Sequence, residues 1–163
     1  MDYSICVSGV CLTVVTSDSH TMAFDVIAET LAKTSLGTLS AGDAVNIEHA
    51  LLPTTPMGGH FLQGHVDAVG RVARVIYNNE ECRLTVTPPA ELMDYIVPKG
   101  SVGIDGVSLT VASVTHDDFD VALIPTTLEI TTLSALHEGD PVNLETDIVS
   151  KTIVHWLQRR GGA

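Results

Sequence analysis

One phrase is written twice in this chain, and that repetition restricts its fold more than any other feature. Residues 7–15 read VSGVCLTVV and residues 104–112 read IDGVSLTVA, an offset of 97 positions. The offset returns downstream. Thr34-Ser35-Leu36 meets Thr131-Thr132-Leu133, and Gly42 to Glu48 meets Gly139 to Glu145. Between these blocks Phe24-Asp25 aligns with Phe119-Asp120, which requires a slip of two residues. Solenoids and propellers repeat every 20–50 residues or so, well short of this period. Two copies of one small domain in tandem fit it, and 163 residues suffice for two such units.

Where the copies agree, in Leu-Thr-Val, the shared residues read as core. Where they differ, at Ser8/Asp105 and Cys11/Ser108, chemistry is the first thing to look for. The copies are also unequal. The second begins near Gly58-Gly59-His60-Phe61, far ahead of its Gly106-Val107-Ser108, whereas six residues precede Val7. If both share a fold, copy one lacks a first segment of about 35 residues.

A formal net charge of −12 argues against nucleic acid, which calls for a basic face. Three cysteines, Cys6, Cys11 and Cys82, are an odd number without CxxC spacing, which favours a reducing compartment over a disulfide framework. No apolar run reaches membrane-spanning length, and no signal sequence opens the chain, so the expected location is cytoplasmic with no membrane partner.

Strand signals dominate. Val45 and Ile47 alternate with Asn46 and Glu48, Val142 and Leu144 with Asn143 and Glu145, and 82–87 alternate again. This reads as half-buried antiparallel strands, an all-β class. Short helical turns are expected after Pro88-Pro89, after Glu29 and after Thr126. The last segment differs. Val149, Ile153, Trp156 and Leu157 fall on one helical face, Asp147 or Ser150 can cap its start, and Arg159-Arg160 precede Gly161-Gly162. That face packs either on the chain's own barrel or against another subunit.

Each candidate residue has a plain structural reading beside a functional one. Cys11 is a small buried hydrophobe or a ligand-contacting thiol. Thr13 and Thr110 are strand formers or, sharing a face with Cys11 and Ser108, part of two similar polar pockets. His60 and His65, five apart, do not form a usual metal pair and leave acid–base work or hydrogen bonding open. Gly58-Gly59 reads as a turn, and Lys99, Asp105 and Asp147 as solvated charges unless a site claims them.

The phrases GGHFLQGHVDAVGRV (58–72), GIDGVSLTV (103–111), Leu123-Ile124-Pro125 with Thr127-Leu128, and the paired Gly-Asp-x-Val-Asn resemble the riboflavin synthases, the lumazine-binding α-type family. The resemblance covers nearly the whole chain. It implies two tandem Greek-key β-barrels, the first shortened at its N-terminus, plus a C-terminal α-helix. The boundaries follow as 1–57, 58–148 and 149–163. It implies transfer of a four-carbon unit between two molecules of 6,7-dimethyl-8-ribityllumazine, with no metal or cofactor. It also implies a homotrimer and association with lumazine synthase.

By the same resemblance, Cys11, Leu12 and Thr13 line the first pocket, completed by Asp25, Val26, Ile27, Ala28, Glu29 and Thr30. Ser108, Leu109 and Thr110 line the second with Lys99, and Ile124, Pro125, Thr126, Thr127, Leu128 and Glu129 complete it. Gly64, His65 and Val66 match a segment reaching the ligand from the start of the second barrel. The catalytic set is then Cys11, His65, Ser108, Thr110, Asp105 and Asp147. Thr126 departs from the family, which often has glutamate before Thr-Leu. The alternative is a non-catalytic lumazine or flavin binder of the lumazine-protein type.

Overall fold

The computed structural model describes residues 3–78 and 81–161. Copy one is a four-stranded antiparallel sheet of β1 (Ser4–Val7), β2 (Val10–Ser17), β3 (Met22–Phe24) and β4 (Ile47–His49), in the order β3-β2-β1-β4. A short helix, α1 (Ala28–Lys33), and a 3-10 turn, Ser35–Thr38, connect β3 to β4. Copy two opens with a hairpin of β5 (Ala68–Tyr77) and β6 (Cys82–Thr87), followed by the 3-10 turn Ala90–Tyr95 behind Pro89. The repeat proper follows as β7 (Ser101–Ile104), β8 (Val107–Val114), β9 (Phe119–Leu123), α2 (Pro125–Ile130) and β10 (Pro141–Thr146). Here the sheet closes as a barrel, β10-β5-β6-β9-β8-β7, because β5 pairs with β10 and β6 with β9.

The strands repeat because their turns repeat. Ser8-Gly9 and Asp105-Gly106 join β1 to β2 and β7 to β8, and all four residues have φ between 43° and 82°. Positive φ at both central positions defines the tight type I′ hairpin, whose twist matches that of the strands. Along the next hairpin Val14 pairs with Phe24 and Val111 with Val121, each after a bulge one residue wide. Phe24 therefore corresponds to Val121, not to Phe119. The offset of 97 holds throughout, and the two-residue slip inferred from the shared Phe-Asp does not exist. The aromatic ring moved along the strand while the backbone kept step.

The barrel core runs through Val72, Leu84, Val86, Val102, Ile104, Val111, Phe119, Val121, Leu133, Val142 and Leu144, all almost fully buried. Copy one has a smaller cluster of Ile5, Val7, Val10, Leu12 and Val14. In β10 the expected inside–outside alternation fails, since Asn143 and Glu145 are buried as well as Val142 and Leu144.

The reason lies where the copies meet, at a junction with near two-fold symmetry. The Asn143 side chain donates to Ser8 O (2.7 Å) and accepts from Ser35 N–H (2.7 Å). Its counterpart Asn46 donates to Asp105 O (3.0 Å) and accepts from Thr132 N–H (2.8 Å). Between them the two turns touch, and a Cβ on Gly9 or on Gly106 would come within 2.7–2.8 Å of the other's nitrogen. Only glycine permits that approach.

The C-terminal helix, α3 (Ile148–Gly161), is capped by Asp147, whose carboxylate accepts Val149 N–H at 3.0 Å. Lys151 ties it to the barrel through Asp67 at 2.9 Å, while Arg160 lies over the Trp156 ring. Gly162, expected to end it, lies outside the described residues. Val149, Ile153, Trp156 and Leu157 are exposed, so this face is not packed on the chain's own barrel.

Candidate functional site

Strand alternation turns Leu12 and Leu109 into the two cores, which leaves Cys11 and Thr13 on the outer face of β2 and Ser108 and Thr110 on that of β8. The two matched pairs therefore present the same polar face on each copy. Cys11 and Ser108 open onto one cavity of about 1310 Å³ between the copies, shared with Gly64, Asp105 and Glu129.

The linker ahead of β5 touches both diverged positions. At its start, a Cβ on Gly59 would lie 2.2 Å from Ser108 Oγ, and His60 Nδ1 is 2.7 Å from the same oxygen. Five residues past Gly59, Gly64 O accepts Cys11 N–H at 2.9 Å with Gly64 at φ 74°. Glu145 pins this segment, its two carboxylate oxygens accepting Gln63 N–H (2.7 Å) and Gly64 N–H (2.9 Å). Val66 continues it by packing on the core of copy one. A segment counted with the second barrel thus borders the first.

In the sequence His60 left acid–base work or hydrogen bonding open, but no spacing joins it to Ser108. Its Nε2 is buried without a protein partner among the described residues. Burial holds its pKa below the ordinary histidine value, against the nearby carboxylates of Asp147 and Glu145. Asp105 is also buried. Burial raises its carboxyl to about 7, partly offset by the N–H of Asn143 donating to Oδ1 at 2.8 Å. That oxygen belongs to the junction.

The remaining candidates fall into two groups. Asp25, Ile27, Ala28 and Glu29 are exposed at and after the end of β3, as are Ile124, Pro125, Thr126 and Glu129 after β9. Val26 packs on the core of copy one and Leu128 on the barrel. Thr30 O and Thr127 O accept the hydroxyls of Thr34 and Thr131, which closes each short helix in the same way. His65 is exposed on the linker, and Lys99 in the loop before β7 has φ 66°. Among the described residues no three metal-binding side chains converge, and no helix is long and apolar enough to cross a membrane.

Comparison with known proteins agrees with the duplication. The sequence model of the lumazine binding domain matches residues 1–50 and again 63–147. A riboflavin synthase of Actinobacillus pleuropneumoniae is 42% identical over 96% of this chain and 73% of its own length. One from Mycobacterium bovis is 43% identical over 97% and 81%, and one from Escherichia coli 41% over 96% and 74%. Among solved structures, LumP complexed with 6,7-dimethyl-8-(1'-D-ribityl) lumazine superposes with a TM-score of 0.79 at 25% identity, covering 88% of this chain and 77% of LumP. LumP complexed with riboflavin gives 0.80 at 28% identity, over 88% and 78%. With both copies matched and three relatives above 40% identity across nearly its whole length, the chain belongs to the riboflavin synthase family of lumazine-binding proteins.

Proposed function

We propose that the chain is a riboflavin synthase, an enzyme that moves a four-carbon unit between two molecules of 6,7-dimethyl-8-ribityllumazine to give riboflavin and a ribitylaminopyrimidinedione. The observation that carries this reading is the matched pair of polar faces, Cys11/Thr13 and Ser108/Thr110, at the same place on two copies of one domain. A dismutation needs two like sites, one for a donor and one for an acceptor. Face-to-face orientation then supplies much of the rate.

In this reading both copies are Greek-key units with the boundaries 1–57, 58–148 and 149–163. Ser108 and Thr110 hold the ring at copy two, with Lys99, Leu109 and the segment 124–129 around it. Cys11 contacts or adds to the acceptor at copy one, where Leu12, Thr13, the segment 25–30, Gly64 and Val66 complete the pocket. His65 moves a proton at the acidic methyl group, whose carbanion the ring itself stabilises. Asp147 contacts the pocket from the cap of α3. Asp105 serves by fixing the junction beside Ser108, because its carboxylate is already engaged by Asn143. No metal or cofactor is invoked. The exposed face of α3 joins subunits into a homotrimer in the cytoplasm, where lumazine synthase is the expected associate.

The test is direct. Purified chain is incubated with 6,7-dimethyl-8-ribityllumazine and riboflavin is followed by absorbance. Turnover that falls at least tenfold in Ser108→Ala and in Cys11→Ser, with circular dichroism unchanged, supports the reading. Tight binding without product points to the lumazine-protein alternative, and wild-type turnover in both variants removes these residues from the site. Light scattering of a chain lacking 150–163 reads the trimer, and an unchanged mass refutes the role of the helix.

A further inference from the structure

We propose that Cys6 and Cys11 form a thiol–disulfide site, oxidised reversibly by a small-molecule disulfide such as oxidised glutathione, which closes the polar face of copy one. The two residues are direct partners across β1 and β2. Their neighbours Ile5, Val7, Val10 and Leu12 point into the core, so Cys6 and Cys11 share the opposite face and both line the cavity. Cys11 N–H is committed to Gly64 O, and the tight turn closes on Val7 and Val10. The cysteines therefore occupy a non-hydrogen-bonded pair, where Cα atoms lie about 4.5 Å apart. Disulfides span Cα separations of about 4.4–6.8 Å.

The site belongs to copy one alone. The matched pair in copy two is Gly103 and Ser108, and the remaining thiol, Cys82, is buried in the barrel core. Cys11 is exposed and Cys6 half-buried, which fixes the order of events. The thiolate of Cys11 attacks one sulfur of the glutathione disulfide, forming a mixed disulfide and releasing one glutathione thiolate. Cys6, deprotonated, then attacks Cys11 Sγ, forming the Cys6–Cys11 bond and releasing the second. Two protein thiols are oxidised, one disulfide is reduced, and the two thiol protons end on glutathione.

The second step is the slow one. Burial raises the Cys6 thiol to about 11. The Gly9 N–H donating to its sulfur lowers it in part, while Glu48 on β4, Cys11 on β2 and Glu145 on β10 raise it further. Ring closure therefore speeds up as pH rises toward that value, and the mixed disulfide accumulates near neutrality.

The full chain is treated with oxidised glutathione at pH 7 and at pH 9, quenched by alkylation, digested and weighed. Expected is a glutathione adduct on Cys11 at pH 7, converted at pH 9 to a 1–33 peptide lacking two hydrogens, with Cys82 alkylated throughout. Cys6→Ser should keep the adduct at both pH values, and Cys11→Ser should form neither product. An adduct that persists at pH 9 in the wild type, or a bond involving Cys82, overturns the site. Its effect on turnover rests on the riboflavin synthase reading. Oxidised chain should lose riboflavin formation and dithiothreitol should restore it, and full activity in the oxidised chain overturns the closure. A reduced chain without turnover refutes the enzyme reading instead and leaves the thiol map to decide the site.

Discussion

The two halves carry the same strands in the same register, yet among the described residues one closes into a barrel and the other stays an open sheet. β1 to β4 and β7 to β10 share hairpins, bulge and helix, 97 residues apart. In copy two the hairpin β5–β6 fits between β10 and β9 and closes the sheet. Among the described residues copy one has no such hairpin, and its sheet ends at β3 and β4. The repeated unit thus specifies a sheet with one polar outer face, while closure is supplied separately. The cores follow suit, five buried apolar residues against sixteen among those described.

The sharpest way to break this comparison is to damage each core in turn. Phe119 on β9 is the largest fully buried side chain. Phe119→Ala should cost about 3–5 kcal/mol in urea unfolding, the usual range for a buried aromatic. Leu12→Ala, in the small open cluster, should cost less, because the sheet can collapse around the gap. Equal losses would mean that the two halves are one cooperative core.

The junction comes next. Asn143→Ala strands the buried Ser8 O and the half-buried Ser35 N–H, a loss of about 2–6 kcal/mol at about 1–3 kcal/mol for each unpaired group. Asn46→Ala breaks the matching pair, but Asn46 is half-buried and water can replace its bonds, so the loss should be smaller. A larger loss at Asn46 would reverse which copy anchors the other.

Those asparagines also mark where sequence reading stops. Glycine turns, strands and the polar outer faces follow from local pattern, because turn φ and side-chain alternation are set within a few residues. Asp147 as a helix cap was equally legible. Asn46 and Asn143 look like the solvent side of alternating strands, since their partners lie 86 and 108 residues away. His60 against Ser108 is hidden for the same reason, across 48 residues. The false slip at Phe24 arose because residue identity was followed where backbone register was needed.

The position matched to Ser8 sharpens the comparison further through pH. Asp105 titrates at about 7 in the folded chain against 3.8 when free, so the folded state holds a proton that the unfolded chain has released. The contribution of this one group to unfolding free energy is therefore fully present below about pH 3.8 and is lost as pH rises through about 7, by about 1 kcal/mol per pH unit. Asp105→Asn keeps the acceptor for Asn143 N–H and suits the positive φ, but carries no titrating proton. Denaturation series at pH 4.5 and 7 should show a flatter dependence in this variant. The same slope in both proteins would assign the proton to another group.

The smallest effect tests whether α3 belongs to the barrel. Asp67 sits just ahead of β5 and accepts Thr146 N–H (2.7 Å) and Oγ1 (2.9 Å) besides Lys151. Lys151→Met removes the cation but leaves those two donors, so Asp67 is not orphaned. The pair is partly exposed and screened, and its loss should cost less than about 1 kcal/mol. Salt should narrow the difference between variant and wild type as screening shortens the reach of the pair. If amide exchange in 148–161 then quickens while copy one is untouched, the helix is a fitting of the closed half alone. Quickening in β1 and β2 as well would mean that α3 also braces the open half.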